Sequence, residues 1–80
     1  MEEKLRFAYD KEGDVLDISI GEPRKAISSE IENDFFIRKD LKTGEVTGFS
    51  ILNFSKWFKS INDYRTIPMS AKFTVLPDKE

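Results

Sequence analysis

The sequence predicts an α+β fold in which an antiparallel β-meander of five or six strands carries one C-terminal amphipathic helix packed on a face. Apolar residues recur at every second position through the first fifty residues, and this is the periodicity of a half-buried strand. Turn-forming residues interrupt the pattern about every ten residues, as they do in antiparallel sheets. After Leu52 the apolar spacing becomes helical, which predicts the single helix.

The first two predicted strands form a hairpin. Apolar residues alternate with polar or small ones over residues 5–9 and again over residues 16–20, so each segment can present one apolar face. The sequence between them contains Gly13, whose freedom to adopt positive φ suits a tight reversal. These two strands therefore open the sheet.

Three further strands are predicted in the middle of the chain. The alternating segments are residues 26–31, 35–40 and 46–52. Acidic and amide side chains at residues 32–34, and a glycine within residues 41–45, supply the turn chemistry between them. Strands joined by such short turns are neighbours in an antiparallel meander.

A helix is predicted over residues 54–64, because five apolar side chains fall at helical spacing there. They are Phe54, Trp57, Phe58, Ile61 and Tyr64. Asn53 or Ser55 would cap the first turn, and Pro68 excludes a helix beyond it. The aromatic stripe would cover a sheet face that cannot bury itself alone. Residues 71–76 alternate once more and are a candidate sixth strand.

The length and the missing residue types limit the chemistry. Eighty residues predict a single domain over residues 1–80, with a core at 4–64 and a strand or tail at 65–80. The chain contains no Cys and no His, which removes disulfides, thiolate or zinc sites and His-based catalysis. We expect no cofactor. The longest apolar run is three residues and no signal-like segment is seen, so we expect a cytoplasmic protein without a membrane span.

The charges are nearly balanced overall but unevenly distributed. Thirteen basic and fifteen acidic side chains give a net charge of −2, which does not suit a dedicated nucleic-acid coat. Residues 1–34 carry a net −5 and residues 35–80 a net +3. Opposite charges can lie on interleaved strands, or they can favour self-association and a partner of complementary sign.

The first turn is a candidate for a weak surface cation site. Asp10, Glu12 and Asp14 stand at spacing two, superficially like the start of a calcium loop. An EF-hand requires Gly at its sixth position and Glu at its twelfth, where this chain has Val15 and Gly21. A solvated hairpin tip, whose Asp side chains hydrogen-bond the turn, is the competing and stronger interpretation.

The predicted helix supplies the candidate interaction surface. It comprises Phe54, Trp57, Phe58, Tyr64, Lys56 and Lys59. The chain offers abundant aromatic area and no nucleophile or base, which favours a non-enzymatic domain whose partner is a second copy or another small protein.

The sequence also allows two other functions, nucleic-acid binding and a carboxylate-based enzyme or cation site. Basic residues interleaved with aromatics, including Arg65 and Lys72, could bind nucleic acid by stacking and phosphate pairing, although helical spacing would bury most of those aromatics. An enzyme or a cation site would rest on Asp10, Asp14 and Asp17. Asp17 projects opposite to the apolar residues of its strand, hence toward solvent.

The motifs resemble those of a small prokaryotic family, the domain of unknown function 2283 family. The resemblance rests on Tyr9, Asp10, Asp14, Leu16 and Ile18, and later on Gly44, Gly48 and Ile51 before an amphipathic segment. It covers residues 5–58, with Asp17 where the family usually has an aromatic residue. It implies a sheet-plus-helix domain with no established activity, and an antitoxin-like or regulatory binding role would suit it.

Overall fold

The computed structural model describes residues 3–77 and contains a five-stranded antiparallel sheet. The strands are β1 (Leu5–Asp10), β2 (Val15–Ile20), β3 (Ala26–Glu32), β4 (Phe35–Asp40) and β5 (Val46–Leu52). The predicted antiparallel sheet is confirmed, and the first five predicted strands lie within one residue of these bounds. Residues 1–2 and 78–80 of the predicted domain lie outside the described residues.

The strand order corrects the predicted meander. The order is β1-β2-β5-β4-β3, so a hairpin of β1 and β2 joins a three-stranded unit through antiparallel pairing of β2 with β5. The chain between β2 and β3 therefore crosses to the far edge of the sheet. β5 suits the centre of the sheet because its apolar side chains pack on one face. On the other face Gly48 and Ser50 have small side chains, which leave room for the side chains of neighbouring strands.

The core lies on one face of the sheet. Phe35, Ile37 and Ile51 are buried there together with Trp57, which comes from beyond the last strand. The Phe35 ring stacks on Phe49 at a centroid distance of 5.2 Å and on Trp57 at 5.9 Å. Trp57 therefore covers this core, the role that the sequence assigns to the whole predicted helix.

The predicted C-terminal helix is wrong. Beyond β5 the structure has one 3-10 turn, Phe54–Lys56, and then irregular chain to residue 77, with no α-helix in the described part. Apolar spacing alone misled the prediction, because the segment is built from aromatic, Asn and Ser residues that form helices poorly. Asn53 and Asn62 adopt left-handed φ values of 55° and 67°, which α-helices exclude.

The candidate sixth strand is also absent from the sheet. Residues 71–76 lie outside every strand pairing, and the sheet of the described residues has five members. The segment instead follows one end of the apolar face. Within residues 3–77 no helix combines the length and the apolar character that crossing a membrane requires.

Candidate interaction surface

Strand β1 is the most exposed strand of the sheet, and it forms one of the two edges. All six of its residues are exposed. Leu5, Phe7 and Tyr9 share one face and retain 41%, 66% and 46% of their possible exposure. Phe7 lies opposite Ile18 of β2 in the register, so this exposed row continues the buried apolar face of the sheet to its edge.

The outward-facing backbone groups of β1 follow from its pairing with β2. Lys4 O accepts a hydrogen bond from Gly21 N at 2.9 Å, and the register places these two residues opposite each other. Hydrogen-bonded pairs occupy every second position of an antiparallel ladder, so Arg6, Ala8 and Asp10 also bond to β2. The N–H and C=O groups of the alternate residues, those at positions 5, 7 and 9, therefore point away from the sheet.

The opposite edge, β3, has features that discourage pairing with another chain. Its register with β4 shifts between Glu30 and Glu32, and such bulges and edge charges are devices by which sheets avoid new strands. Glu30 Oε2 also accepts a hydrogen bond from the Asp34 backbone. β1 has an unbroken register and no proline, so it is the open edge of the sheet.

An apolar groove lies beside β1 on the same face. It has a volume of about 410 Å³. The sheet contributes Leu5, Phe7, Ile18, Ile20, Val46 and Phe49, and the C-terminal segment contributes Met69, Ser70, Ala71 and Phe73. Ser70 is the single polar residue of this lining. The groove extends the apolar area of the β1 face onto the C-terminal segment.

The other face of the sheet is polar and is organised by Arg38. Its Nη1 lies 2.9 Å from both Asp17 Oδ1 and Ser50 Oγ, and Nη2 donates to Ile18 O at 3.2 Å. Partial burial works against the charged form of Asp17, but the Ser50 hydroxyl and the guanidinium outweigh it and lower the pKa of this carboxyl. Asp17 therefore lies on the face opposite the apolar core. It is partly buried there and paired with Arg38.

A pocket of about 290 Å³ lies on this polar face, lined in part by Asp17, Arg24 and Arg38. Arg38 pairs with Asp17, and Arg24 Nη1 lies 3.2 Å from Asp40 Oδ2. The charges of both arginines are therefore matched within the chain, and the pocket does not point to an ionic ligand. The Arg38 network is not among the sites predicted from the sequence. Opposite charges in the middle of two predicted strands, Asp17 and Arg38, together with Gly48 inside a third, are the available sequence signal, but it becomes specific only once the strand order is known.

Two of the predicted cation-site carboxylates, Asp10 and Asp14, accept hydrogen bonds from other groups of the chain. Asp10 Oδ1 accepts from Gly13 N at 3.1 Å, and Asp14 accepts from the Ser55 hydroxyl and the Tyr9 hydroxyl, both at 2.6 Å. These bonds, that from Ser55 first, lower the pKa of Asp14, and the same bond to Asp14 raises the pKa of Tyr9. Glu12 is exposed. Residues 3–77 hold no cluster of three or more acidic side chains arranged to bind a metal.

The predicted interaction residues after β5 are divided between core and surface. Trp57 is 8% exposed and belongs to the core. Phe58 and Tyr64 are exposed, whereas Phe54 is half-buried and meets Tyr9 edge-on at 6.0 Å. The two lysines of this surface, Lys56 and Lys59, are exposed.

Arg65, the basic residue nearest to Trp57, is occupied within the chain. Its guanidinium carbon lies 4.1 Å from the centre of the Trp57 ring, and Nη1 donates to Trp57 O at 3.4 Å. An arginine over a tryptophan face is a cation–π contact that stabilises the packing of the ring. This arginine and this tryptophan therefore do not form an open platform for a nucleic-acid base.

The described structure defines a class: a small antiparallel-sheet domain with one free edge and an apolar face that runs to that edge. The family model described as "Protein of unknown function (DUF2283)" matches residues 6–55, and the chain belongs to this family. The expected family membership is thereby confirmed. No curated protein matches the chain, and no solved structure matches it.

Proposed function

We propose that this protein is a protein-interaction domain that acts as a homodimer, with the open edge and exposed apolar face of β1 as its interface. The observation that carries the proposal is the exposure of Leu5, Phe7 and Tyr9 in one row on an edge strand that has no bulge and no proline. Natural sheets normally cover, bulge or charge such an edge. An open apolar edge is therefore expected to be covered in the working protein.

A second copy of the chain is the occupant we propose. The edge offers backbone donors and acceptors as well as apolar area, and strand addition uses both kinds of contact. An isologous interface, in which the same patch meets itself, is the commonest arrangement among soluble oligomers. It requires a patch that is complementary to itself. Charges of both signs lie beside the apolar row, on Arg6 and Asp10 of β1 and on Lys4 just before it.

The test is the molar mass of the full chain by light scattering, from low to high micromolar concentration. We expect a concentration-dependent shift from monomer to dimer. Phe7→Glu should weaken dimerisation about tenfold or more, because it places a charge at the centre of the interface. The matched control is Ile27→Glu, which alters an exposed apolar residue on the opposite edge strand, β3, and should leave dimerisation unchanged.

Circular dichroism should show that both variants retain the sheet. A wild-type chain that stays monomeric over the whole range contradicts the proposal. Equal weakening by the two variants contradicts the assignment of the interface to β1.

A further inference from the structure

We infer that two copies pair their β1 strands antiparallel, centred on Phe7, so that the two five-stranded sheets become one sheet of ten strands. This inference rests on the proposed homodimer and specifies its geometry. It follows from three features of the edge: the direction of the backbone groups, the apolar row and the positions of the charges.

The backbone limits the possible registers. The free N–H and C=O groups of β1 belong to Leu5, Phe7 and Tyr9, as the bond between Lys4 and Gly21 sets the alternation. Two such edges can form a ladder only where odd-numbered residues face odd-numbered residues. A symmetric antiparallel pair is then centred on a residue, and within the middle of β1 the choices are Arg6, Phe7 and Ala8.

The register centred on Phe7 pairs the apolar row with itself. Leu5 faces Tyr9 of the second copy, Phe7 faces Phe7, and Tyr9 faces Leu5. All these side chains project from the same face of the sheet, because residues directly opposite each other share a face. Three cross-strand pairs thus cover side chains that are exposed in one copy alone.

The charges that flank the row are complementary in the same register. Lys4 faces Asp10 of the second copy, and Glu3 and Lys11, which lie just outside β1, come to the same end of the paired strands. The two-fold symmetry repeats both pairs at the other end of the strand. Opposite charges directly across a ladder stabilise it, so the two Lys4–Asp10 pairs favour this register, and the opposite charges of Glu3 and Lys11 add attraction beside them.

The two neighbouring registers satisfy these conditions less well. Centring on Arg6 would set Arg6 against Arg6 of the second copy. Centring on Ala8 would oppose Arg6 to Asp10, but it would face Leu5 with Lys11 and reduce the apolar pairs from three to two. The apolar row and the charges together therefore select Phe7.

Disulfide trapping distinguishes the three registers, because the chain has no native Cys. Arg6 and Ala8 of opposite copies form a non-hydrogen-bonded pair in the Phe7 register, with Cα atoms about 4.5 Å apart, within the range of a disulfide. In two copies of the same single-cysteine variant, the two cysteines would lie diagonally across the ladder. Their Cα atoms would be about 7–8 Å apart, beyond that range.

We therefore expect a mixture of Arg6→Cys and Ala8→Cys chains, one of them carrying a mass tag, to form a cross-linked heterodimer under mild oxidation. Each variant alone should remain largely uncross-linked. Cross-linking of Arg6→Cys alone would indicate the Arg6 register, and cross-linking of Ala8→Cys alone the Ala8 register. Either result overturns the inference.

A charge reversal provides an independent measurement without thiols. Glu3→Lys should weaken dimerisation about three- to tenfold, because it turns two attractive pairs into repulsive ones. The double variant Glu3→Lys with Lys11→Glu should restore the wild-type value. A dimer that persists in light scattering, with no trapped heterodimer and no rescue, overturns the β1 register while the homodimer stands. A monomer in every experiment overturns both.

Discussion

The guanidinium of Arg38 on β4 reaches Asp17 on β2 across the whole width of β5, with Nη1 2.9 Å from Oδ1. The two strands are not neighbours, so this ion pair ties the three-stranded unit to the hairpin over the strand between them. It can do so because the residue beneath it on β5 is Gly48. A Cβ atom there would overlap Arg38 Nη2 and lie 2.6 Å from Ile18 O.

Gly48→Ala should therefore destabilise the protein by about 1 to 3 kcal/mol, the usual cost of forcing an extra carbon into a packed site. The free energy of unfolding in urea measures this. The same substitution in an Arg38→Ala background is the matched comparison, and its cost should be smaller because one of the two obstructing groups is gone. An unchanged or increased stability of Gly48→Ala would contradict the close approach of Arg38 to β5.

Asp17→Asn should lower stability at neutral pH by about 1 kcal/mol, since it weakens charge-assisted bonds to Arg38. The Asp17 side chain is 38% exposed, and solvent screening keeps the loss small. The pKa of Asp17 is lower in the folded chain than its ordinary 3.8. The stabilisation is therefore complete above the ordinary value and disappears as the pH falls through the lower, folded value.

Unfolding measured from about pH 7 down to about pH 2 should show the two curves converging in acid. Ser28→Ala, which changes an exposed side chain of β3 that has no titrating group, is the control and should stay parallel to wild type. A constant difference between wild type and Asp17→Asn at all pH values would show that the charge of Asp17 is not involved.

Tyr9 should lose its proton at a higher pH than an ordinary tyrosine. Its hydroxyl donates to the Asp14 carboxylate, which raises its pKa above 10.0. A Tyr64→Phe background leaves Tyr9 as the one tyrosine of the chain, so phenolate absorbance reports it alone. Adding Asp14→Asn should bring the titration back toward 10.0. Because the folded pKa is raised, this bond stabilises the fold below about pH 10 and is lost as the pH rises further.

Trp57 should be replaceable by another aromatic residue but not by a small one. Its Nε1–H is buried and no described residue accepts a hydrogen bond from it, so Trp57→Phe removes no hydrogen bond, keeps an aromatic face toward Arg65, and should cost clearly less than Trp57→Ala. Trp57→Ala should cost about 3 to 5 kcal/mol, comparable to the whole stability of a domain of this size. Circular dichroism during thermal unfolding compares the two. Equal losses would mean that ring packing against Phe35 contributes little.

Local alternation was sufficient to predict the strands, since β4 and β5 occur at the predicted bounds. It was not sufficient to predict their order, because the placement of β5 beside β2 depends on pairing between residues distant in sequence. The open edge could not be identified without that order. The helix prediction is wrong for a different reason. The apolar spacing from Phe54 to Tyr64 fits a helix, but the left-handed backbone conformations of Asn53 and Asn62 do not.

The candidate surface was predicted only in its chemistry. Exposed aromatic area was expected and Phe58 and Tyr64 provide some of it, but Trp57 is buried. For Leu5 and Phe7 the sequence predicts a strand and no special role, since nothing in a local pattern distinguishes an edge strand from an inner one. Asp14, considered for a cation, is held by hydroxyl donors.

The family match ends at residue 55, two residues before the indole that closes the core. A chain cut at that boundary would keep the strands through β5 and lose Trp57, which packs on Phe35 in the core. The segment after residue 55 therefore seals the interior of the protein. Residues 69–73 belong to that sealing segment and also line the groove, so a change there would alter both the stability of the protein and the shape it offers to a partner.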